Sequence, residues 1–290
     1  SRKIKNKSLR YYNNKTILIT GAGGSIGKNL FFELLNSNPK KIILAEQDEF
    51  KLFNLKKEYE NRKSKFSKSF DVLFNLGNLA NDQFLKNIFL ENKKIDYVLH
   101  AAAYKHVVLG EENVLSFVKN NIFLTYNLAK ISIKYNVKKF IFISTDKAVN
   151  PQSVMGFSKS ICEKILIDLN NKNNLKNVFK IVRFGNVINS DGSVLPIFEN
   201  QILNGGPITI THKNASRYFM SIKNACQLVL HTIEINKKIG IFILDMGKSY
   251  KILHVAKSMI NFYLSRNKIS TRPKIIFIGL QKGEKIKEEL

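Results

Sequence analysis

Residues 16–35, TILITGAGGSIGKNLFFELL, join a short β-rich apolar run, a glycine-dense turn and an amphipathic segment, in that order. Ile17, Leu18 and Ile19 predict a strand buried on both faces. Ile26, Leu30 and Leu34, spaced by four, predict a helix beginning directly after the glycines. Gly21 suits a tight bend, Gly24 a close approach of backbone to a pyrophosphate, and Gly27 the packing of helix on strand. The free N–H groups at the helix start would face the phosphates. A bare strand-to-helix connection would use the same glycines. What favours a dinucleotide is the acidic residue that closes the next apolar run, residues 42–45. Glu46 is spaced to accept hydrogen bonds from the adenosine ribose hydroxyls, which selects NAD over its 2′-phosphorylated relative. Asp48 is the second candidate, and a solvated turn carboxylate is the plain alternative for either.

Outward from this unit, β-rich runs at 71–74, 97–101 and 140–144 alternate with helical stretches. Such alternation predicts right-handed βαβ units, hence an α/β fold of the Rossmann type: a doubly wound parallel sheet covered by helices on both faces. Further strands are expected at 178–184 and 241–244, and a helix at about 221–234. Residues 1–15 are polar and basic and are expected to form a lead-in. Residues 16–185 read as the NAD-binding core, and 186–290 mainly as a small C-terminal cap, with strands returning to the core sheet. Asn-Lys clusters near 61–69 and 170–177 read as solvated connections. After Phe184, Asp191-Gly192 and Gly205-Gly206-Pro207 mark turns. A cap of short elements would lie over the carboxyl ends of the strands, where ligands of open α/β sheets bind.

The chain has 290 residues, 44% of them hydrophobic, enough to bury a large core. Its formal net charge of +25 raises polyanions as partners. The basic residues, however, are mostly lysines scattered among asparagines and isoleucines, and no helix-turn-helix, zinc or ribonucleoprotein motif accompanies them. Nucleic acid is therefore not expected as a partner, and a dianionic nucleotide would account for local positive charge. Cys162 and Cys226 stand far apart in helical patterns and are expected as free buried thiols of a reducing compartment. No apolar run has the length of a membrane span, and the lysine-rich start lacks a signal core. A cytoplasmic protein is expected, possessing an anchor only if one precedes residue 1. No metal site is expected.

The stretch ISTDKAVNPQSVMGFSK, residues 143–159, is the most informative for chemistry. Ser144, Thr145, Asp146 and Lys147 end an apolar strand, so their side chains are expected to project into the crevice. Met155 and Lys159 are four apart and share one helix face. Together with the glycine spacing, these residues resemble the extended short-chain dehydrogenase/reductase superfamily, in most of which the position of Met155 is a tyrosine that exchanges a proton with a sugar hydroxyl. A thioether cannot carry that proton.

The segments AAAYKHVVLGEEN (101–113), STDKAVNP (144–151), RFGNV (183–187), SVLPIF (193–198), GGPITITH (205–212), RYFM (217–220) and GLQKGEKIKEEL (279–290) narrow the resemblance. Together they look like the bacterial polysaccharide-biosynthesis nucleotide-sugar dehydratases, chiefly UDP-N-acetylglucosamine 4,6-dehydratases, of which one branch carries methionine at this place. The resemblance covers residues 15–290 and implies an internal redox cycle. Hydride passes from carbon 4 of the sugar to NAD, water leaves across carbons 5 and 6, and the hydride returns to carbon 6.

By that resemblance Asp146 and Lys147 are the elimination pair, Thr145 bonds the carbon 4 oxygen, and Lys159 binds the nicotinamide ribose. Asp146, directly or through Thr145 or water, is the candidate acceptor of the carbon 4 hydroxyl proton. The cofactor is implied to rest on Gly21, Gly24, Ser25, Ile26, Gly27, Glu46, Asn78, Leu79, Ala101, Ala102 and Lys159. The UDP-sugar is implied to meet Lys105, His106, Met155, Asn186, Thr209, Arg217 and Glu284. Of these, Arg217 suits the diphosphate through its planar fork, and Glu284 the uridine ribose; His106 has a purely structural role as its alternative. Two departures stand out: Gln281-Lys282 where relatives often read Arg-Pro, and Asn78 where they usually keep aspartate. A homo-oligomer is expected from the same resemblance. A nucleotide-sugar 4-epimerase and a catalytically silent NAD-binding protein are the rival readings.

Overall fold

The structure, a computed structural model, describes residues 9–65, 70–175, 178–235 and 240–289. The start of the lead-in and parts of both Asn-Lys clusters (66–69, 176–177) lie outside the described residues.

Twelve strands are present among the described residues. They are β1 Thr16–Thr20, β2 Lys41–Glu46, β3 Asp71–Leu76, β4 Tyr97–His100, β5 Lys139–Ile143, β6 Phe179–Arg183, β7 Asn186–Ile188, β8 Ile208–Ile210, β9 Ser216–Ser221, β10 Gly240–Ile243, β11 Ser249–Lys251 and β12 Ile275–Phe277. Seven form a parallel sheet in the order β10-β6-β5-β4-β1-β2-β3, the Rossmann-type arrangement that the alternation predicts. The chain winds outward from β1 to β3, then crosses back to β4 on the other side of β1. The switch point, where two adjacent connections leave in opposite directions and open a crevice, thus lies between β1 and β4.

Both faces are covered. Ile17 and Ile19 point into one core with Leu30, Phe31, Leu34 and Val229, while Leu18 points into another with Leu128, Phe140, Phe142 and Leu166. All five residues of β1 are buried, as expected of a central parallel strand. A third core, with Phe198, Ile202, Ile208, Ile210, Ala256 and Ile260, holds the cap segment together. There β8 pairs with β12, and β9 lies between β11 and β7.

The stretch read as a lead-in is not free of the domain. Leu9 and Tyr12 are buried, and the Tyr12 hydroxyl donates to the Leu230 carbonyl at 2.9 Å. These two apolar side chains join residues 9–12 to the core that holds Ile17 and Ile19. Cys162 and Cys226 are free and buried. Among the described residues no helix is long and apolar enough to cross a membrane, and no cluster of three or more His, Cys, Asp or Glu is placed to hold a metal ion.

Candidate active site

The glycine turn follows β1 and leads into helix Ser25–Leu34. Gly21 has φ +63°, and a Cβ there would come within 2.7 Å of the Ala102 backbone, on the loop after β4. At Gly27 a Cβ would strike the Gly21 carbonyl, so this residue lets the helix close on the turn. Gly24, the N-cap residue, leaves its outer side open, with the carbonyl of Gly21 at 3.4 Å as the nearest neighbour. The three glycines therefore perform the three separate tasks that a pyrophosphate-binding turn requires.

Glu46 ends β2, buried beside the turn. Its Oε2 accepts the Gly23 N–H at 2.9 Å, and its Oε1 accepts the N–H groups of Gln47 at 2.9 Å and Asp48 at 3.1 Å. A carboxylate has about four acceptor sites, so capacity for a ribose hydroxyl remains. Asp48, the second candidate, caps helix Glu49–Arg62 through the Lys51 N–H at 3.0 Å. Asn78 is exposed, and its Oδ1 accepts the Ala80 N–H at 2.9 Å, leaving its amide nitrogen for a base edge. Leu79 is buried beneath it. Ala101 and Ala102 lie against Gly21, which places the candidate cofactor residues around one crevice. These groups fit a dinucleotide.

A loop that sequence pattern marked only as a turn crosses this crevice. The Asp191 N–H donates to Ser25 Oγ at 3.0 Å, Lys105 Nζ donates to the Asp191 carbonyl at 2.6 Å, and Gly192 abuts the His106 ring. Burial lowers the proton affinity of Lys105 and of His106, and the Lys51 ammonium pushes both in the same direction. Lys51, which no motif marked, therefore stands with Lys105 and His106 beside the glycine turn.

On the other side of the switch point, β5 ends in the Thr145–Lys147 turn. Asp146 is fully buried (0% exposed). Its Oδ1 accepts from Thr145 Oγ1 at 2.9 Å and Lys147 Nζ at 3.0 Å, whereas Oδ2 has no hydrogen-bond partner. Lys147 also reaches Asn186 Oδ1 at 3.4 Å and Glu288 Oε1 at 3.5 Å. Gly185 flanks the pair closely, since a Cβ there would meet Asp146 Oδ2 at 2.8 Å.

Ser144 departs from expectation. Its hydroxyl donates to Glu163 Oε1 at 2.5 Å, inside the interface of sheet and helix Val154–Lys172, because strand alternation turns it away from the crevice. Arg183 Nε donates to the same oxygen at 2.8 Å, and its fork closes on the second. Lys159, buried on that helix, donates to the Ile143 carbonyl at 2.8 Å and stands 4.4 Å over the Phe142 ring. Burial lowers its pKa to about 8, with Cys162 and Glu163 opposing the shift. Met155, one turn earlier, is buried.

The cap supplies the remaining candidates in a different arrangement from the one implied. Thr209 is held by Gln201, donor Nε2 to Oγ1 at 2.8 Å, with Ile208 and Ile210 buried in the cap core. Arg217 is buried, and its donors are taken up by the Ser216 carbonyl at 2.9 Å, the Ile286 carbonyl at 3.1 Å and Glu284 Oε1 at 3.0 Å. Glu284 in turn accepts from Thr211 at 2.8 Å. A diphosphate contact from Arg217 would fall to its Nε–H and the second hydrogen of Nη2.

A doubly wound parallel sheet with a glycine turn at its switch point and a Ser-Thr-Asp-Lys strand end defines an extended short-chain dehydrogenase/reductase. The chain belongs to the polysaccharide biosynthesis protein family, whose model matches residues 17–290. It is 42% identical over 281 residues to the capsular polysaccharide biosynthesis protein CapD of Staphylococcus aureus, covering 97% of this chain and 46% of that protein. It thus spans about half of CapD. A UDP-glucose 4-epimerase of Rickettsia canadensis is 34% identical, over 96% of this chain and 77% of that one. The solved structure of Pen from Bacillus thuringiensis superposes with a TM-score of 0.87 at 33% identity, covering 96% and 83% of the two chains. The polysaccharide biosynthesis family expected from the motifs is thereby shown.

Proposed function

We propose that this chain catalyses the NAD-dependent 4,6-dehydration of a UDP-N-acetyl-hexosamine, UDP-N-acetylglucosamine first among them, to a 4-keto-6-deoxy sugar for bacterial surface polysaccharide. The observation that carries the reading is the contact of the half-buried Lys147 with the fully buried Asp146, one of whose carboxylate oxygens is unengaged. When bound, NAD supplies reversible hydride acceptance, and everything else falls to side chains. Gly21, Gly24, Ser25 and Glu46 seat the cofactor, and Lys159 holds the nicotinamide ribose with positive charge nearby. Thr145 orients the carbon 4 oxygen, and Asp146 accepts its hydroxyl proton directly or through Thr145.

Elimination breaks the C5–H and C6–O bonds. Once Asp146 has released the carbon 4 proton to solvent, its carboxylate accepts the carbon 5 proton, and the departing hydroxyl takes a proton from the Lys147 ammonium and leaves as water; the proton held by Asp146 then returns to carbon 5. A carboxylate and an ammonium in contact can divide these opposite tasks. Lys105, with Lys51 and His106 beside it, offers positive charge to phosphates. Met155 contributes only apolar surface, so proton transfer does not depend on that position.

The name of the Rickettsia relative favours 4-epimerisation as the second reading. Incubation of the NAD-loaded chain with UDP-N-acetylglucosamine separates the two. A 4-keto-6-deoxy product, identified by NMR, supports dehydration. UDP-N-acetylgalactosamine supports epimerisation and overturns the proposal, as does recovery of the sugar with its carbon 6 hydroxyl intact.

A further inference from the structure

Glu288 comes from the last stretch of the described chain, yet its carboxylate lies within the catalytic cluster. The residue is buried; Oε1 is 3.5 Å from Lys147 Nζ and 3.9 Å from Arg217 Nε, and Oε2 is buried with no hydrogen-bond partner. A carboxylate in such a place loses hydration that only nearby positive charge offsets.

Fastening the segment does not require it. Residues 281–289 cross the site as a strap fixed on both sides by other groups. The Ser216 N–H donates to the Ile286 carbonyl at 2.9 Å, Lys285 Nζ to the Val149 carbonyl at 2.8 Å, and Asn150 Nδ2 to Glu289 Oε2 at 2.7 Å. Glu284 is bound to Arg217 and Thr211. Glu288 alone points its charge at Lys147. The Lys147 ammonium has three acceptors, Asp146 Oδ1 at 3.0 Å, Asn186 Oδ1 at 3.4 Å and Glu288 Oε1 at 3.5 Å, contributed by the β5 turn, by β7 and by the strap. Asp146 and Asn186 alone would hold the amine from two sides only; the Glu288 carboxylate closes the third and fixes its direction.

We propose that Glu288 is a positioning residue that acts through Lys147, so that the proton-transfer pair is complete only when the C-terminal strap is seated. This rests on the dehydratase reading for the meaning of Lys147, though the contact itself can be tested without turnover.

Competitive acylation of lysines, read by peptide mass spectrometry on the full chain, measures how firmly each amine is held by its partners. Loss of the Glu288 contact releases the amine on one side, so Lys147 of Glu288→Gln should acylate several-fold faster than in the unaltered chain. Lys172 and Lys257 should be unchanged. Glu288→Asp, which keeps the charge but withdraws it, should fall between. Glu289→Gln, altered on the same strap but facing Asn150, should leave both Lys147 labelling and turnover as they were.

With UDP-N-acetylglucosamine, Glu288→Gln should lower kcat about tenfold with little change in KM, and should have no further effect in a Lys147→Ala background. Unchanged Lys147 labelling in both Glu288 variants overturns the proposal, as does an effect of Glu288→Gln that multiplies independently with that of Lys147→Ala. Unaltered protein that leaves the sugar untouched overturns the dehydratase reading alone, and the labelling still decides Glu288.

Discussion

His100, at the end of β4, carries two hydrogen bonds that fix its chemical form. The Ala102 N–H points to Thr20 Oγ1 at 3.4 Å, and Thr20 Oγ1 meets His100 Nδ1 at 2.7 Å. On the other side, Thr125 donates to the Asn121 carbonyl at 2.6 Å and so accepts from His100 Nε2 at 3.0 Å. The ring is a neutral Nε2–H tautomer, fully buried behind the crevice. Burial, with the Lys159 charge second, lowers its pKa to about 3. The unfolded chain takes up this proton below about 6.5 while the folded chain does not, so the contribution to stability is whole above that pH and declines toward pH 3. The slope approaches about 1.4 kcal/mol per pH unit from this group alone. Denaturant melts of the unaltered chain and His100→Asn should therefore differ more at pH 7 than at pH 5. An equal difference at both would mean that His100 titrates normally. Asp146→Asn should abolish turnover while NAD remains bound, measured by product formation and cofactor content, whereas Met155→Ala should retain considerable activity.

At the level of elements, the turn after β1 was legible because strand, glycines and helix follow one another without a break, and Gly27 answers a steric demand inside that turn, the Gly21 carbonyl. Gly27→Ala should make this visible. The added methyl strikes the Gly21 carbonyl, backbone against backbone, which neither side can relieve by rotation. Overpacking of this kind costs about 1–3 kcal/mol, and the turn must open, so both the melting temperature and NAD retention after gel filtration should fall. The run of strands was legible for the same reason, since a doubly buried parallel strand writes itself as a continuous apolar stretch. What remained hidden depends on partners distant in sequence. Lys51 looks like any surface lysine of helix Glu49–Arg62 until Gly23 and His106 come near it. Ser144 stood among site residues in the motif, but Glu163 and Arg183 claim its hydroxyl. Arg217 was legible as important and not as buried, because its carboxylate partner lies 67 residues further along the chain. The π-helical turn Val118–Phe123, which presents Asn121 to Tyr104 and Ser158, left no periodic trace.

For the molecule as a whole, the charge is the feature whose consequence the individual contacts do not contain. Forty-seven lysines and arginines against 22 aspartates and glutamates give a field that attracts anions from beyond contact distance. The crevice adds a local maximum where Lys51 and Lys105 gather beside the glycine turn, and part of the lowered proton affinity of Lys105 and His106, after burial, is repulsion from Lys51 that an incoming diphosphate would relieve. A nucleotide sugar carries two negative charges on its diphosphate, so its capture should depend on ionic strength. At about 0.15 M salt the field reaches only about 8 Å, and at 1 M about 3 Å. KM for UDP-N-acetylglucosamine should therefore rise several-fold between low salt and about 0.5 M, while kcat, assigned in the proposed reaction to Lys147 in contact with the buried Asp146, should change little. Steady-state rates across a sodium chloride series test this directly. A KM indifferent to salt would show that substrate is captured by short contacts alone; a kcat that falls in step with capture would mean that the pair is less sheltered than its burial indicates.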